Sequence, residues 1–154
     1  IVLEAVRLNT VNGGERPHCL SVRPAPRTPE GKMNRKALII VDHGSTVGEA
    51  NDMLAEVARL VESKESGFDI VKYCHMELAE PTIEQAFDAC VEEGAGSVVV
   101  HPYFLSPGRH STRDIPAMVK AAAKKHPGVT YRVTEPLGVH GKIIEVILER
   151  SGED

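Results

Sequence analysis

The chain has 154 residues, of which 42% are hydrophobic and 26% are charged, and its formal net charge is -4. This is enough chain for one domain with a sizeable core, and the weak negative charge gives no reason to expect a nucleic-acid partner. No segment approaches the roughly 18 consecutive apolar residues of a membrane span, and none resembles a secretory signal, so we expect a soluble, cytoplasmic protein.

Residues 1–35 differ in composition from the rest of the chain. They contain Gly13, Gly14, four prolines and five arginines, with little apolar periodicity. Such a segment cannot bury enough surface to offset its ordering entropy, and it is predicted to be a disordered N-terminal extension. Arginine-rich segments are also typical of organelle transit peptides, which would indicate a plastid location, although three glutamates weaken that interpretation. Residues 36–150 are predicted to form a single domain, and residues 151–154 a short tail.

From Lys36 onward, apolar runs alternate with helical patterns. Residues 38–41 and 98–100 are continuously apolar, which predicts central strands buried on two faces. Residues 68–73 and 129–133 interleave polar side chains, as edge strands do. We therefore predict an α/β fold with a four-stranded parallel sheet in the order 2-1-3-4, helices on both faces, and flavodoxin-like topology.

Four helices are predicted from their start and stop signals. Residues 46–49 (TVGE) form a capping-box pattern before the first helix. The second helix is predicted to have Pro81 near its first position and Gly94 at its end. Residues 111–114 (STRD) open the third helix, and the fourth carries an apolar set: Ile143, Ile144, Ile147 and Leu148.

The three cysteines are Cys19, Cys74 and Cys90. They are widely spaced and form no C-x-x-C motif, so neither a disulfide framework nor an iron–sulfur cluster is expected. We expect Cys74 and Cys90 to be buried as small apolar side chains.

Three stretches with chemically capable side chains follow predicted strands: residues 42–45 (DHGS), 75–81 (HMELAEP) and 107–110 (PGRH). The carboxyl ends of parallel strands meet at one edge of a sheet, and ligands bind where the strand order reverses, here between the first and third strands. The resulting crevice would hold imidazoles, carboxylates and an arginine. That set suits metal chemistry on an anionic substrate.

Residues 41–45 (VDHGS), 76–82 (MELAEPT) and 102–110 (PYFLSPGRH), followed by 114–116 (DIP), resemble the signatures of class II chelatases. More closely, they resemble sirohydrochlorin ferrochelatases and cobaltochelatases, over about residues 36–150. The resemblance implies a chelatase-like fold and a lyase that inserts Fe²⁺, giving siroheme, or Co²⁺, towards cobalamin, into a tetrapyrrole. It places metal ligation on His43 and His110 and the catalytic carboxylate on Glu77. Asp42 departs from the glycine that is common before the first histidine.

The implied chemistry needs residues of these types. Neutral imidazoles suit Fe²⁺, Co²⁺, Ni²⁺ and Zn²⁺, and two of them leave coordination positions open for ring nitrogens. Glu77 can accept the pyrrole protons or assist ligation. The metal is then a substrate, and no permanently bound cofactor is expected.

Other side chains are predicted to hold the carboxylate-rich tetrapyrrole. Arg109 and Arg113 present forked donors that match rim carboxylates, and Gly108 lets the backbone approach a flat ring. Ser45 and Ser106 complete the predicted substrate-binding set, although Ser45 could instead cap the first helix. A flat macrocycle needs walls on both sides of the crevice, which predicts a homodimer.

Some assignments stay open. His75 is either a ligand or proton carrier, or has no role in the site; Glu80 is a helix cap first and a site residue second; His140 is a loop residue that could touch substrate. His101 is expected to be a packed or hydrogen-bonded strand residue. Two other functions remain: a non-catalytic module that binds or delivers divalent metal, and an anion or nucleotide binder in which residues 43–46 cradle phosphate.

Overall fold

The computed structural model describes residues 34–152. The predicted extension and tail lie largely outside them, and Arg35 already belongs to the first strand. In chain order the elements are β1 (Arg35–Asp42), α1 (Gly48–Glu62), β2 (Ile70–His75), α2 (Ile83–Glu92), β3 (Ala95–Pro102), a π-helical turn (His110–Asp114), α3 (Ile115–Ala123), β4 (Thr130–Val133) and α4 (Gly141–Ser151).

Across the described residues the strands form one four-stranded sheet in the order β2-β1-β3-β4, and every pairing is parallel. This confirms the predicted sheet. β2 extends to His75, two residues beyond the prediction, so Asp42 and His75 are paired at the ends of neighbouring strands. The reversal of order between β1 and β3 puts their carboxyl ends at the switch point.

The sheet separates two apolar cores. Alternate residues of β1 point to opposite faces: Ile39 and Val41 pack with α2 and α3, while Leu38 and Ile40 pack with α1. Helices therefore lie on both faces, as predicted. Cys74 and Cys90 are buried, also as predicted, and burial raises the pKa of the Cys90 thiol to about 12.

Two predicted helix starts are wrong in detail. No side chain caps α1 within the described residues, and Thr46 lies outside the helix; the Asn51 side chain instead accepts from the Ser45 N–H at 2.9 Å and donates to its carbonyl oxygen. The capping box belongs to α2, where Thr82 accepts from the Gln85 N–H and the Gln85 side chain accepts from the Thr82 N–H. Pro81 therefore precedes the cap and is not a helical residue.

The last two helices also differ from the prediction. A π-helical turn that begins at His110 leads into α3. α4 forms where predicted, but in the part of the chain that the structure describes it buries none of its side chains. His140 is its N-cap and accepts from the Lys142 N–H at 3.2 Å. None of the helices within residues 34–152 is long and apolar enough to cross a bilayer.

Candidate metal centre

The three residues predicted to do the chemistry meet at the switch point. Potential ligand atoms of His43, Glu77 and His110 all lie within 4.8 Å of one another. His43 Nε2 is 2.8 Å from Glu77 Oε1, and the two imidazole rings are 5.4 Å apart at a steep angle. The side chains of His43 and His110 are each 42% exposed and that of Glu77 is 52% exposed, so the cluster is open to small solutes.

Backbone hydrogen bonds between the loops after β1 and β2 set the position of Glu77 beside His43. The Met76 N–H donates to the Asp42 carbonyl at 2.8 Å, and the Glu77 N–H donates to the His43 carbonyl at 3.1 Å. Gly44 has a φ of +83°, and a Cβ there would lie 2.1 Å from the Glu77 carbonyl oxygen. Only glycine permits this close approach.

Nδ1 of each histidine of the cluster is engaged by a backbone or side-chain oxygen. His43 Nδ1 donates to the Gly44 carbonyl at 3.3 Å, and His110 Nδ1 donates to Asp114 Oδ2 at 3.1 Å. These bonds fix the tautomer and the ring orientation, as carboxylate and carbonyl partners do for metal-binding histidines. Nε2 of each ring is therefore left to contact a metal, and in His43 a bound ion would replace the present contact of Nε2 with Glu77 Oε1 at 2.8 Å.

Asp114 organises the π-helical turn and was not predicted as a site residue. Besides His110, it accepts from Arg113 Nε at 2.9 Å and lies 3.8 Å from Arg109 Nε. The pKa of its carboxyl is lowered, first by the hydrogen bond from Arg113 and also by that from His110 and by the guanidinium charges. The sequence signal was its spacing of four residues from His110, which places both side chains on one side of a helical turn.

A second histidine–carboxylate pair lies next to the cluster. His75 is fully buried, and its Nδ1 donates to Asp42 Oδ1 at 2.5 Å; the same oxygen accepts from the Gly44 N–H at 2.9 Å. His75 does not join the cluster of His43, Glu77 and His110, and its Nε2 has no hydrogen-bond partner among the described residues. Asp42, the departure from the family motif, thus links His75 to the glycine turn after His43.

The predicted substrate-binding residues lie in two loops. Arg109 and Arg113 are 70% and 68% exposed, and Ser106 and Gly108 are exposed in the same loop after β3. Ser45 Oγ instead accepts from the Val47 N–H at 3.0 Å, so its hydroxyl takes part in the turn before α1. Substrate could still use the hydroxyl proton of that serine.

Three residues left open by the sequence have local partners. Glu80 accepts from the Gln85 side chain at 3.3 Å, near the start of α2. His101 Nδ1 lies 2.7 Å from Thr134 Oγ1, which confirms a hydrogen-bonded strand residue. His140 caps α4. These three lie outside the cluster of His43, Glu77 and His110.

A cavity of about 430 Å³ opens beside His43. Asp42 and Ser45 contribute polar groups at and just after the end of β1. Met53, Phe104 and Leu105 contribute apolar side chains. Apolar side chains with a few polar groups are the usual lining of a small-molecule pocket.

Comparisons with known proteins show the family to which this chain belongs. The CbiX family model matches residues 37–154. The chain is 49% identical over 113 residues to the chloroplastic sirohydrochlorin ferrochelatase of Arabidopsis thaliana, covering 73% of this chain and 50% of that protein. It is 30% identical to the sirohydrochlorin cobaltochelatase of Methanococcus maripaludis, covering 75% of this chain and 97% of that protein.

A solved structure gives the same result. The sirohydrochlorin chelatase SirB of Bacillus subtilis subspecies spizizenii in complex with cobalt superposes with a TM-score of 0.72 at 30% identity, over 76% of this chain and 50% of that one. The chain thus spans about half the length of the Arabidopsis and Bacillus proteins. By family model, sequence and structure, this chain belongs to the CbiX family of class II chelatases.

Proposed function

We propose that this protein inserts a divalent metal into sirohydrochlorin. The observation that carries the proposal is the cluster of His43, Glu77 and His110 at the switch point of the sheet. Two imidazoles and one carboxylate make a site for a first-row divalent metal. The ferrochelatases and cobaltochelatases similar to this chain supply the substrate class.

In the proposed mechanism the two histidines hold the incoming ion. Nε2 of His43 and Nε2 of His110 are the ligating atoms, because Nδ1 of each ring already donates to the protein. Two protein nitrogens leave coordination positions for water, which the ring nitrogens then replace. Ligation by only two neutral imidazoles also keeps the ion releasable to the macrocycle.

Glu77 acts as the general base. Insertion of M²⁺ releases two pyrrole protons, and the two deprotonated, anionic nitrogens together with the other two ring nitrogens bind the metal. The Glu77 carboxylate lies 2.8 Å from His43 Nε2 and is half exposed. It can therefore accept a proton beside the metal and pass it to solvent before accepting the second.

Arg109 and Arg113 are proposed to bind the rim carboxylates of the tetrapyrrole. Their guanidinium groups are exposed, and Asp114 orients both near His110. Charge-assisted, forked hydrogen bonds would fix the ring over the metal. Ser106 and Gly108 lie in the loop that leads to Arg109, and Ser45 lines the cavity beside His43.

Anaerobic incubation with sirohydrochlorin and Fe²⁺, Co²⁺ or Ni²⁺ tests the function. The absorbance spectrum of the tetrapyrrole should change to that of the metallated ring at a rate well above the protein-free reaction. The ion with the highest kcat/KM identifies the preferred metal. Binding of metal without turnover would contradict the proposal and favour the metal-delivery module.

Two properties of the whole protein belong to the same proposal. A homodimer would give the flat macrocycle a second wall, built from the same surface by two-fold symmetry. A plastid location is proposed because the 49% identical relative is a chloroplastic enzyme. Imaging of the full-length gene product fused to a fluorescent protein tests the location, and a cytosolic signal would contradict it.

A further inference from the structure

A buried histidine–carboxylate pair joins the ends of two strands beside the loop of His43. Asp42 ends β1, His75 ends β2, and the two residues are partners in the sheet register. His75 Nδ1 donates to Asp42 Oδ1 at 2.5 Å; the side chain of His75 is fully buried and that of Asp42 is 19% exposed. Neither residue is a metal ligand or the general base of the proposed mechanism.

Stability alone does not account for this pair. His75 Nε2 has no partner among the described residues, so folding removes that nitrogen from water without a replacement bond. The Tyr73 ring lies 5.8 Å from the His75 ring at a steep angle, a contact that an apolar ring of similar shape would also make. Replacement of a buried ion pair by well-packed apolar residues is often neutral or stabilising. The role of His75 therefore follows from the bond that its ring makes to Asp42.

Asp42 connects His75 to the ring of His43 through Gly44. The Asp42 oxygen that accepts from His75 also accepts from the Gly44 N–H at 2.9 Å. The Gly44 carbonyl in turn accepts from His43 Nδ1 at 3.3 Å. A Cβ on Gly44 would lie 3.0 Å from the Cβ of His75, so the turn also packs directly against His75. The buried imidazole thereby helps to fix the residue that orients the imidazole of His43.

The same pair bears on the position of Glu77. The Met76 N–H donates to the Asp42 carbonyl at 2.8 Å, and the Glu77 N–H donates to the His43 carbonyl at 3.1 Å. Because His75 directly precedes Met76, its bond to Asp42 holds the two strand ends in the alignment that these backbone bonds need. His43 Nε2 and Glu77 Oε1 are 2.8 Å apart as a result.

We propose that Asp42 and His75 are positioning residues that hold His43 and Glu77 in the geometry that binds the incoming metal. The pair acts through its hydrogen bonds, and neither residue ligates the metal or accepts a proton from the tetrapyrrole. Glycine is common at the position of Asp42 in the class II chelatases, so the pair is an addition to the shared site of the family. The inference rests on the proposed function for the reaction, and on the geometry alone for metal binding.

Three variants separate the hydrogen bonds from the charge and from the packing. Asp42→Asn removes the charge but keeps Oδ1, the oxygen that accepts both bonds. Asp42→Ala removes both bonds and leaves the His75 imidazole without a partner. Asp42→Ala/His75→Phe also lacks the bonds but refills the buried volume with an apolar ring. Each protein is titrated with Co²⁺ alone and followed by absorbance, and the binding that persists in a His43→Ala/His110→Ala protein is subtracted.

The three variants should differ in metal affinity. We expect Asp42→Asn to keep the Co²⁺ affinity of the wild type and Asp42→Ala to weaken it about 10-fold or more, as loss of partners that orient metal-binding histidines does. The Asp42→Ala/His75→Phe protein should be thermally more stable than Asp42→Ala, yet bind Co²⁺ as weakly. Recovery of affinity together with stability would make the pair purely structural and overturn the proposal. An Asp42→Asn protein as weak as Asp42→Ala would overturn it too, because the charge and not the bonds would then matter.

The matched control is Asp88→Ala. Asp88 in α2 and His126 after α3 form another histidine–carboxylate pair with the same N–O distance of 2.5 Å, outside the cluster of His43, Glu77 and His110. Its loss should leave the Co²⁺ affinity unchanged, whatever it does to the thermal stability. A loss of affinity equal to that of Asp42→Ala would show that the effect is not specific to Asp42 and would overturn its positioning role.

Turnover of the same proteins is measured separately. Asp42→Ala should lower kcat/KM for the metal and leave KM for the tetrapyrrole nearly unchanged, because Arg109 and Arg113 are untouched. An Asp42→Asn protein with normal Co²⁺ affinity but a large fall in kcat would make Asp42 a proton acceptor and overturn the proposal. A wild type that binds Co²⁺ but does not metallate sirohydrochlorin contradicts the proposed function, and the Co²⁺ affinities of the variants still decide the positioning role.

Discussion

His43 follows β1, His110 begins the π-helical turn after β3, and both are little more than half buried, so their imidazoles contribute little to the core. His43→Ala and His110→Ala should each lower metal insertion at least about 100-fold, because loss of one ligand leaves the ion weakly held. The free energy of unfolding should change little, since truncation opens no core cavity. Initial rates of the tetrapyrrole spectral change and thermal unfolding measure the two effects.

The matched control is His140→Asn, which keeps a capping side chain on the exposed start of α4. It should retain wild-type turnover. Near wild-type turnover in either cluster variant would mean that the two-histidine site is wrong.

Gly44 holds the two loops of the site at close range. Gly44→Ala should lower the free energy of unfolding by about 1–3 kcal/mol, because the residue has positive φ and its Cβ would collide with the Glu77 carbonyl. Turnover should fall with it, since Glu77 must move away from His43. Gly48→Ala is the control: nothing lies within 4 Å of its Cβ and its position is helical. Equal behaviour of the two variants in urea unfolding would refute this role.

Arg109 is the exposed cation closest in sequence to the second histidine. Arg109→Ala should raise KM for the tetrapyrrole several-fold while leaving KM for the metal nearly unchanged, because the guanidinium acts on the substrate rim. Arg59→Ala, an exposed arginine on α1 paired with Glu56, should change neither constant. An effect confined to the metal constant would argue against a rim contact.

The meeting of the three motif stretches was predictable because strand ends in a parallel sheet must converge, and the resemblance to class II chelatases selected the individual residues. His43, Glu77 and His110 follow three different strands, and the structure brings them together. Asp114 and the pair of Asp42 and His75 were harder to foresee. The first depends on a π-helical turn, and the second on the register that sets Asp42 beside His75.

At the scale of elements, strand order was predictable and helix starts were not. Continuous and interrupted apolar runs distinguish central from edge strands, so the order followed from burial alone. Both 46–49 and 82–85 carry a capping pattern, yet only Thr82 uses it. Before α1, the Asn51 side chain instead hydrogen-bonds the N–H and the carbonyl oxygen of Ser45. The capping pattern of residues 46–49 does not indicate these two bonds.

His101 in β3 should make the free energy of unfolding depend on pH. Burial lowers the pKa of His101 below its usual value of 6.5. The unfolded state therefore binds more protons near that pH. The contribution of His101 to the free energy of unfolding is fully present above about pH 6.5 and decreases as the pH falls below it. His101→Gln keeps a hydrogen-bonding partner for Thr134 and should show a shallower loss between about pH 8 and about pH 5.

Urea unfolding at several pH values measures that slope. Identical slopes for the His101→Gln variant and the wild type would mean that His101 does not contribute. A steeper slope in the variant would reverse the assigned sign.

At the scale of the molecule, periodicity identified α4 but could not identify what covers it. The pattern of Ile143, Ile144, Ile147 and Leu148 predicts an apolar face, and the structure leaves that face exposed within residues 34–152. The local sequence determines which face of a helix is apolar, whereas the surface that packs against that face depends on the rest of the molecule and its partners.

The two-fold arrangement makes activity depend on protein concentration. If the second copy supplies one wall for the macrocycle, dilution that separates the copies should lower specific activity in step with the dimer fraction measured by light scattering. Metal binding by His43 and His110 should persist in the separated chains, because both ligands come from one chain. Titration with Co²⁺, followed by its absorbance, measures that binding at each dilution. Specific activity that stays constant while the mass falls to 16.7 kDa would show that one chain encloses its substrate alone, and would contradict the shared cleft.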